Sequence, residues 1–497
     1  MRNKVQLITY ADRLGGDLPG LRNVLTGRLA GLFGGVHVLP FFRPYDGADA
    51  GFDPADHREV DPRLGTWDDV AALADTGLDP VVDLIVNHVS TESPWFADVL
   101  ARGDRSPYAD MFLTFSSVFP GGATESELLT VYRPRPGLPF TPMRLGGRRR
   151  LVWTTFTPQQ VDIDVRSPQA RAYLTEVMEA LARHGVALVR VDAVGYAVKT
   201  PGTSSFMTPD TFAFIADLSA QAKGLGLEVL VEVHSYYRRQ VEIARQVDLV
   251  YDFALPPLVL HALHTADAEP LLAWLRTRPV NCVTVLDTHD GIGVVDVGAD
   301  ADDPAKPGLL TPGQIHDLVE AIHVASGGTS RLATGAAASN VDIYQVNCTF
   351  YDALGRDDDK YTLARLLQLF APGVPQVYYV GLLAGTNDVE LLRRTGVGRD
   401  VNRHHYTPGE IDEALERPVV RGLLAAIRFR NGHPAFGGTF ACGPGERPRS
   451  VRMEWADVEG FARLDAVPGT AEWSVTATAS DGTARTVTEA EKLSALV

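Results

Sequence analysis

Three runs of apolar, strand-forming residues in this chain end in carboxylates. Asp192 closes the strand-like part of ALVRVDAVGYAVK, Glu232 interrupts VLVEVHSYY, and TVLDTHDGIGV brings Asp287, His289 and Asp290 together. Each feature by itself has a structural explanation. Arg190 and Asp192 make an ion pair at period two, and a lone Glu in a strand needs a core partner because burying an unpaired carboxylate is costly. Three acids at the ends of three separate strands are much harder to explain that way. Together they have the composition needed for glycosyl transfer with retention. One carboxylate attacks the anomeric carbon, and a second, protonated, serves the leaving oxygen from about 5–5.5 Å away. A third stabilises the oxocarbenium-like transition state electrostatically. The acid must have a raised pKa, which burial beside other carboxylates provides, while Arg190 favours the ionised form of Asp192.

Such a set needs a scaffold that brings many strand ends to one face. Eight apolar runs qualify: Val5–Thr9, Val36–Phe41, Val81–Val86, Ala187–Asp192, Val229–Val233, Leu249–Phe253, Val283–Asp287 and Val374–Val380. Amphipathic segments such as Ala170–Arg183 and Thr211–Lys223 lie between some of them, which is how a parallel α/β sheet reads. Eight strands in this alternation predict an α/β fold of the (β/α)8 TIM-barrel type. A doubly wound open sheet is the alternative, but no GxGxxG opens a helix after an early strand.

Two connections are too long for plain barrel loops. Residues 88–164, rich in Pro, Gly and aromatics, predict a small inserted domain, and residues 292–347 a loop-rich second insertion. The barrel then comprises 1–87, 165–291 and 348–434. From 435 to 497, VRMEW, FARLD and EWSVTATASDG predict a small C-terminal β domain.

The 497 residues include 46 Lys plus Arg against 62 Asp plus Glu, a net charge of −16. That field disfavours non-specific nucleic-acid binding and adhesion to anionic membranes, so an anionic substrate requires a local cluster of cations. MRNKVQLITYAD reads directly into a strand without a signal-peptide pattern, and no 18-residue apolar run occurs elsewhere. The widely spaced Cys282, Cys348 and Cys442 read as buried free thiols in a reducing, cytoplasmic compartment.

Beyond these readings, DLIVNH (83–88), RVDAVGYAVK (190–199), EVHSYY (232–237) and DTHDG (287–291) resemble, in order and spacing, the four signature regions of the α-amylase superfamily, glycoside hydrolase family 13. QVDID (160–164) is similar to its fifth. The resemblance implies that Asp192 is the nucleophile, Glu232 the acid/base and Asp290 the transition-state stabiliser. His88, Arg190 and His289 would hold the glucosyl unit.

Longer stretches resemble one phosphorylase branch of that superfamily over nearly the whole chain, among them KVQLITYADRLGGDL, HVLPFFRPYDGADAGFDPADH, YRPRPGLPFT, YDFALPPLVLHAL, TGAAASNVDIYQVN and GRDVNRH. This implies reversible conversion of sucrose and inorganic phosphate into α-glucose 1-phosphate and fructose, with no cofactor and no metal. A homodimer is the quaternary expectation. It further implies that Asp49 and Arg399 clamp glucose hydroxyls and that Phe52, Phe156 and Tyr196 wall the sugar pocket. Tyr132, Arg135, Asp342, Tyr344 and Gln345 would line the acceptor side, with Gln160 and His234 also among the substrate contacts. The two arginines of YRPRPG offer fork-like donors suited to phosphate. The C-terminal domain follows the branch least closely. No Ca²⁺-loop pattern is present, and Asp300–Asp303 reads as a solvated acidic turn. The alternatives are phosphorylases of sucrose 6′-phosphate, glucosylglycerate or glucosylglycerol, a phosphate-independent hydrolase or transferase, and an inactive amylase-like binding protein.

Overall fold

The computed structural model describes residues 1–44, 50–134, 137–300, 303–334 and 345–497. Eight parallel strands close into a barrel: β1 (Gln6–Thr9), β2 (Gly35–Val38), β3 (Asp79–Ile85), β4 (Leu188–Asp192), β5 (Glu228–Val231), β6 (Leu249–Asp252), β7 (Cys282–Thr284) and β8 (Val374–Tyr378). β8 pairs with β1 to complete the ring. The strands are rich in Val, Ile and Leu because both faces are covered, one by the ring of helices and one by the barrel interior. Val81, Leu188, Leu230, Tyr251 and Val283 pack as one interior cluster. Two residues further along their strands, Asp83 and Arg190 stand opposite each other across the β3–β4 ladder. The strand period of two therefore changes the barrel filling from apolar to charged just below the C-terminal mouth.

The amphipathic segments form helices Pro168–Arg183 and Pro209–Gly224, each opened by a hydroxyl cap and a proline in the first turn. The first insertion begins and ends as an antiparallel pair, His88–Ser90 with Gln160–Asp162, and contains the hairpin Phe140–Leu145/Arg148–Trp153 over a small apolar cluster. The second is closed by Ile292–Gly293 pairing with Gln345–Val346. The three C-terminal runs form the centre of a five-stranded antiparallel meander spanning Thr439–Val487. Its alternating inward residues Val451, Met453 and Trp455 are buried, and Trp455 Nε1 donates to the Phe370 carbonyl at 2.7 Å.

Several strands stop earlier than their apolar runs. β2 ends at Val38, β5 at Val231 and β7 at Thr284, while past β8 the chain turns into helix Tyr379–Leu382. The apolar residues beyond these ends are buried without belonging to the ladder, so hydrophobicity overstates strand length there. Cys282 and Cys348 are buried free thiols, but Cys442 is only half-buried. Asp300 is not a solvated turn residue: it is buried beside Arg239 and Lys306. Among the described residues no helix is long and apolar enough to cross a membrane.

Candidate active site

β4 delivers both Arg190 and Asp192 inward. The Arg190 guanidinium is buried and uses one nitrogen, Nη1, for Asp83 at 2.5 Å and Asp192 at 2.7 Å. Its Nη2 lies 3.9 Å from Glu232 Oε1. One cation thus spans the two carboxylates expected to do the chemistry. Glu232 stands one residue past β5, and its Oε2 accepts the backbone N–H of Ala193 at 3.3 Å. Ala193 adopts the left-handed conformation, φ 52°, immediately after Asp192. The local strain aims its amide at Glu232 while the chain leaves the barrel.

Beneath Arg190, Asp83 also receives His37 Nε2 at 3.0 Å. Burial alone would raise the Asp83 carboxyl, but His37 and Arg190 outweigh it and lower it to about 2. Burial pushes Asp192 the other way, up to about 8, with Arg190 opposing and Glu232, Asp83 and Asp290 adding to the rise. In such a coupled cluster the proton belongs to the group of carboxylates. Arg190 contacts Asp192 more closely than Glu232, which within that group favours the ionised form of Asp192.

The third acid is Asp290. Burial would raise it as well, but Arg399, His289 and Arg403 hold it below the ordinary carboxylate range. Arg399 Nη1 is 2.8 Å from Asp290 Oδ1. His289, held well below its usual pKa chiefly by burial, stacks on Phe52 with ring centroids 4.8 Å apart and planes at 8°. Asp287 does not join the site. It turns away to pair with buried Arg365 at 2.7 Å.

Asp192, Glu232 and Asp290 line one cavity of about 140 Å³ at the C-terminal mouth of the barrel. Phe52, Phe156 and Tyr196 form part of its wall, with His88 Nε2 and Gln160 Nε2 both converging on the Phe52 carbonyl. His234, His289 and Arg399 supply polar edges, and Tyr132 and Gln345 lie on the same cavity. Arg190 sits behind the carboxylates rather than on the wall. The calls at Asp49, Arg135, Asp342 and Tyr344 lie outside the described residues. Of the two arginines in YRPRPG, Arg133 does not line the cavity; its Nη1 donates to the Gly137 carbonyl at 3.0 Å.

Some contributors were not singled out from sequence. Phe206 stacks on Tyr132 with centroids 4.6 Å apart and joins the wall. Its only signal was an aromatic in the loop after β4. Buried Lys199 reaches Asp162 at 2.7 Å and Asn87 at 2.8 Å and also bonds the Tyr196 carbonyl, tying the inserted domain to the loop after Asp192.

Among the described residues, Glu232, His234 and Asp290 place ligand-type atoms close enough for a metal ion. The donors suit that role poorly. Burial lowers His234, yet Asp296, Glu232 and Asp290 raise it to about 9, and Arg399 already occupies Asp290. A protonated imidazole offers no lone pair to a cation.

The Alpha amylase, catalytic domain family model matches residues 10–223. A sucrose phosphorylase from Agrobacterium vitis is 60% identical over 466 residues, covering 93% of this chain and 95% of that protein. One from Bifidobacterium adolescentis is 58% identical, covering 89% and 88%. The crystal structure of sucrose 6F-phosphate phosphorylase from Thermoanaerobacter thermosaccharolyticum superposes with TM-score 0.90 at 38% identity, covering 98% of this chain and 99% of that one.

Proposed function

Because this chain belongs to the sucrose phosphorylase family, a branch of the α-amylase family, we propose that it interconverts sucrose plus phosphate and α-glucose 1-phosphate plus fructose by double displacement. The observation that carries the mechanism is Arg190 spanning, from behind, the Asp192 and Glu232 carboxyl groups that line one aromatic-walled cavity. In the first step the Asp192 carboxylate attacks the anomeric carbon as the bond to the fructosyl oxygen breaks. Glu232 gives its proton to that oxygen and fructose leaves. In the second, a phosphate oxygen attacks the same carbon and the bond to Asp192 breaks. The phosphate proton returns to Glu232, which restores both carboxyl groups and retains the anomeric configuration.

Asp290, kept ionised by Arg399, lies where positive charge develops on the sugar. Phe52, His88, Phe156, Gln160, Tyr196 and His289 hold the glucosyl unit in this reading. Asp49 joins Arg399 in clamping its hydroxyls. Tyr132, Arg135, His234, Asp342, Tyr344 and Gln345 serve fructose and phosphate. The buried free thiols fit a reducing, cytoplasmic setting.

Sucrose is to be incubated with and without phosphate and the glucosyl product identified. Glucose 1-phosphate formed only with phosphate is the expected result. Glucose formed at equal rate in both would make the enzyme a hydrolase. A phosphorylase of sucrose 6′-phosphate, glucosylglycerate or glucosylglycerol would use its own donor in preference to sucrose.

A further inference from the structure

His234 is hydrogen-bonded at one ring nitrogen and, among the described residues, not at the other. Its Nδ1 lies 2.9 Å from Asp296 Oδ2, and its ring stacks on Phe253 with centroids 3.9 Å apart. His234 lines the cavity, and its buried Nε2 has no hydrogen-bond partner among the described residues, standing 3.6 Å from Glu232 Oε1. Asp296 is fully buried and is itself fixed. Its Oδ1 accepts from Ser235 N at 3.0 Å and Gln240 Nε2 at 2.9 Å, leaving Oδ2 for the imidazole. Asp296 is not among the described residues that line the cavity, so its effect on the reaction is expected to pass through His234.

We propose that Asp296 is a positioning residue that keeps His234 protonated on both ring nitrogens and aims the free Nε2–H at the phosphate entering beside Glu232. The inference rests on the phosphorylase reading above.

Charge on the cavity wall supports it. The anions facing His234 come from three elements: Glu232 after β5, Asp290 after β7, and Asp296 in the turn Val295–Val297. The neighbouring arginines are engaged, Arg190 by Asp83 and Asp192 and Arg399 by Asp290. A phosphate dianion arriving beside deprotonated Glu232 meets strong repulsion unless a cation stands next to that carboxylate. Among the described residues, protonated His234 is in that place. A charge-assisted bond from Nε2 to a phosphate oxygen is also stronger than a neutral one. Sucrose, being neutral, needs the donor but not the charge.

Asp296→Asn separates the two. The fixed donors Ser235 N and Gln240 Nε2 hold the amide oxygen on the Oδ1 side, which turns Nδ2 toward His234. Nδ1 then accepts a hydrogen bond instead of donating one, and the ring becomes a neutral Nε2–H tautomer. The donor stays while the charge goes.

Steady-state kinetics of folded Asp296→Asn should show KM for phosphate raised by about tenfold or more, a smaller change in KM for sucrose, and a larger hydrolysed fraction. ¹⁵N-histidine NMR, with His234 assigned through His234→Gln, should show two protonated nitrogens in the wild type at pH 7 and one in the variant. An unchanged phosphate KM in the folded variant, or a neutral His234 in the wild type, overturns the proposal. If the variant does not fold, the wild-type spectrum decides alone. A wild type that ignores phosphate would sink the phosphorylase reading, and the spectra would still decide whether Asp296 charges His234.

Discussion

Arg190 Nη1 stands 2.7 Å from Asp192 Oδ1 while its other terminal nitrogen faces Glu232 at 3.9 Å. In the proposed mechanism the difference gives two chemically similar carboxyl groups different roles, because the closer guanidinium favours the ionised form of Asp192. Arg190→Lys keeps a positive charge but loses the planar fork that reaches Asp83, Asp192 and Glu232 together. Its kcat is expected to fall by about a hundredfold or more, with fold retained by circular dichroism. Activity within threefold of wild type would remove Arg190 from this role.

Glu232→Gln should lose sucrose turnover by roughly 10²–10⁴-fold, the usual contribution of a positioned acid. Glucosyl fluoride, whose leaving group needs no proton, should lose far less in the first step. Initial rates with both donors check this, and equal losses would mean that Glu232 is not the proton donor.

The raised pKa of Asp192 has a consequence for stability. The carboxyl groups clustered at Asp192 share a proton that the folded chain releases only toward pH 8, while an unfolded carboxyl titrates near the ordinary value of about 4, so between those pH values the native state binds more protons. The Asp192 contribution to stability is therefore fully present below the unfolded pKa and is lost as pH rises toward 8. Asp192→Asn, which cannot ionise, should unfold at a higher temperature than wild type at pH 8 and at nearly the same temperature at pH 4. The gain at pH 8 is expected to be about 1 kcal/mol or more. Calorimetry at the two pH values decides it, and a variant less stable at pH 8 contradicts the assignment.

Asp287 belongs to the fold rather than the reaction. Replacing it with Asn leaves the Arg365 guanidinium buried without its anion, with an expected loss of about 3–5 kcal/mol. Thermal unfolding should show that loss, while KM for sucrose and kcat stay within a few-fold at a temperature where the variant is folded. A catalytic collapse in a stable protein would reverse the reading.

All eight barrel strands were legible in the sequence, because strands covered on both faces are written as continuous apolar runs. The inward direction of Arg190 and Asp192 followed from their spacing of two. Past Thr284 that period no longer applies, since the chain has left the ladder. Nothing local distinguishes Asp287, which turns to Arg365, from Asp290, which enters the cavity; only the resemblance separated them. Asp296 lies 62 residues from His234 and reaches it through the fold alone. An acid in a glycine-bearing loop carries no sign of such a partner. Lys199 was inside a stretch already recognised, but its contacts and those of Phe206 cross from the inserted domain to the barrel, a relationship no periodicity encodes.

Asp192 as the covalent nucleophile is the claim on which the rest depends. It is tested most directly by reacting the Glu232→Gln enzyme with glucosyl fluoride in the absence of phosphate, quenching in acid, and sequencing its peptides by mass spectrometry. The result expected is a single hexosyl group on the peptide carrying Asp192, which disappears when phosphate is added before the quench. A hexosyl group on Asp290 or another residue, or turnover of the donor with no adduct at any time, would contradict it.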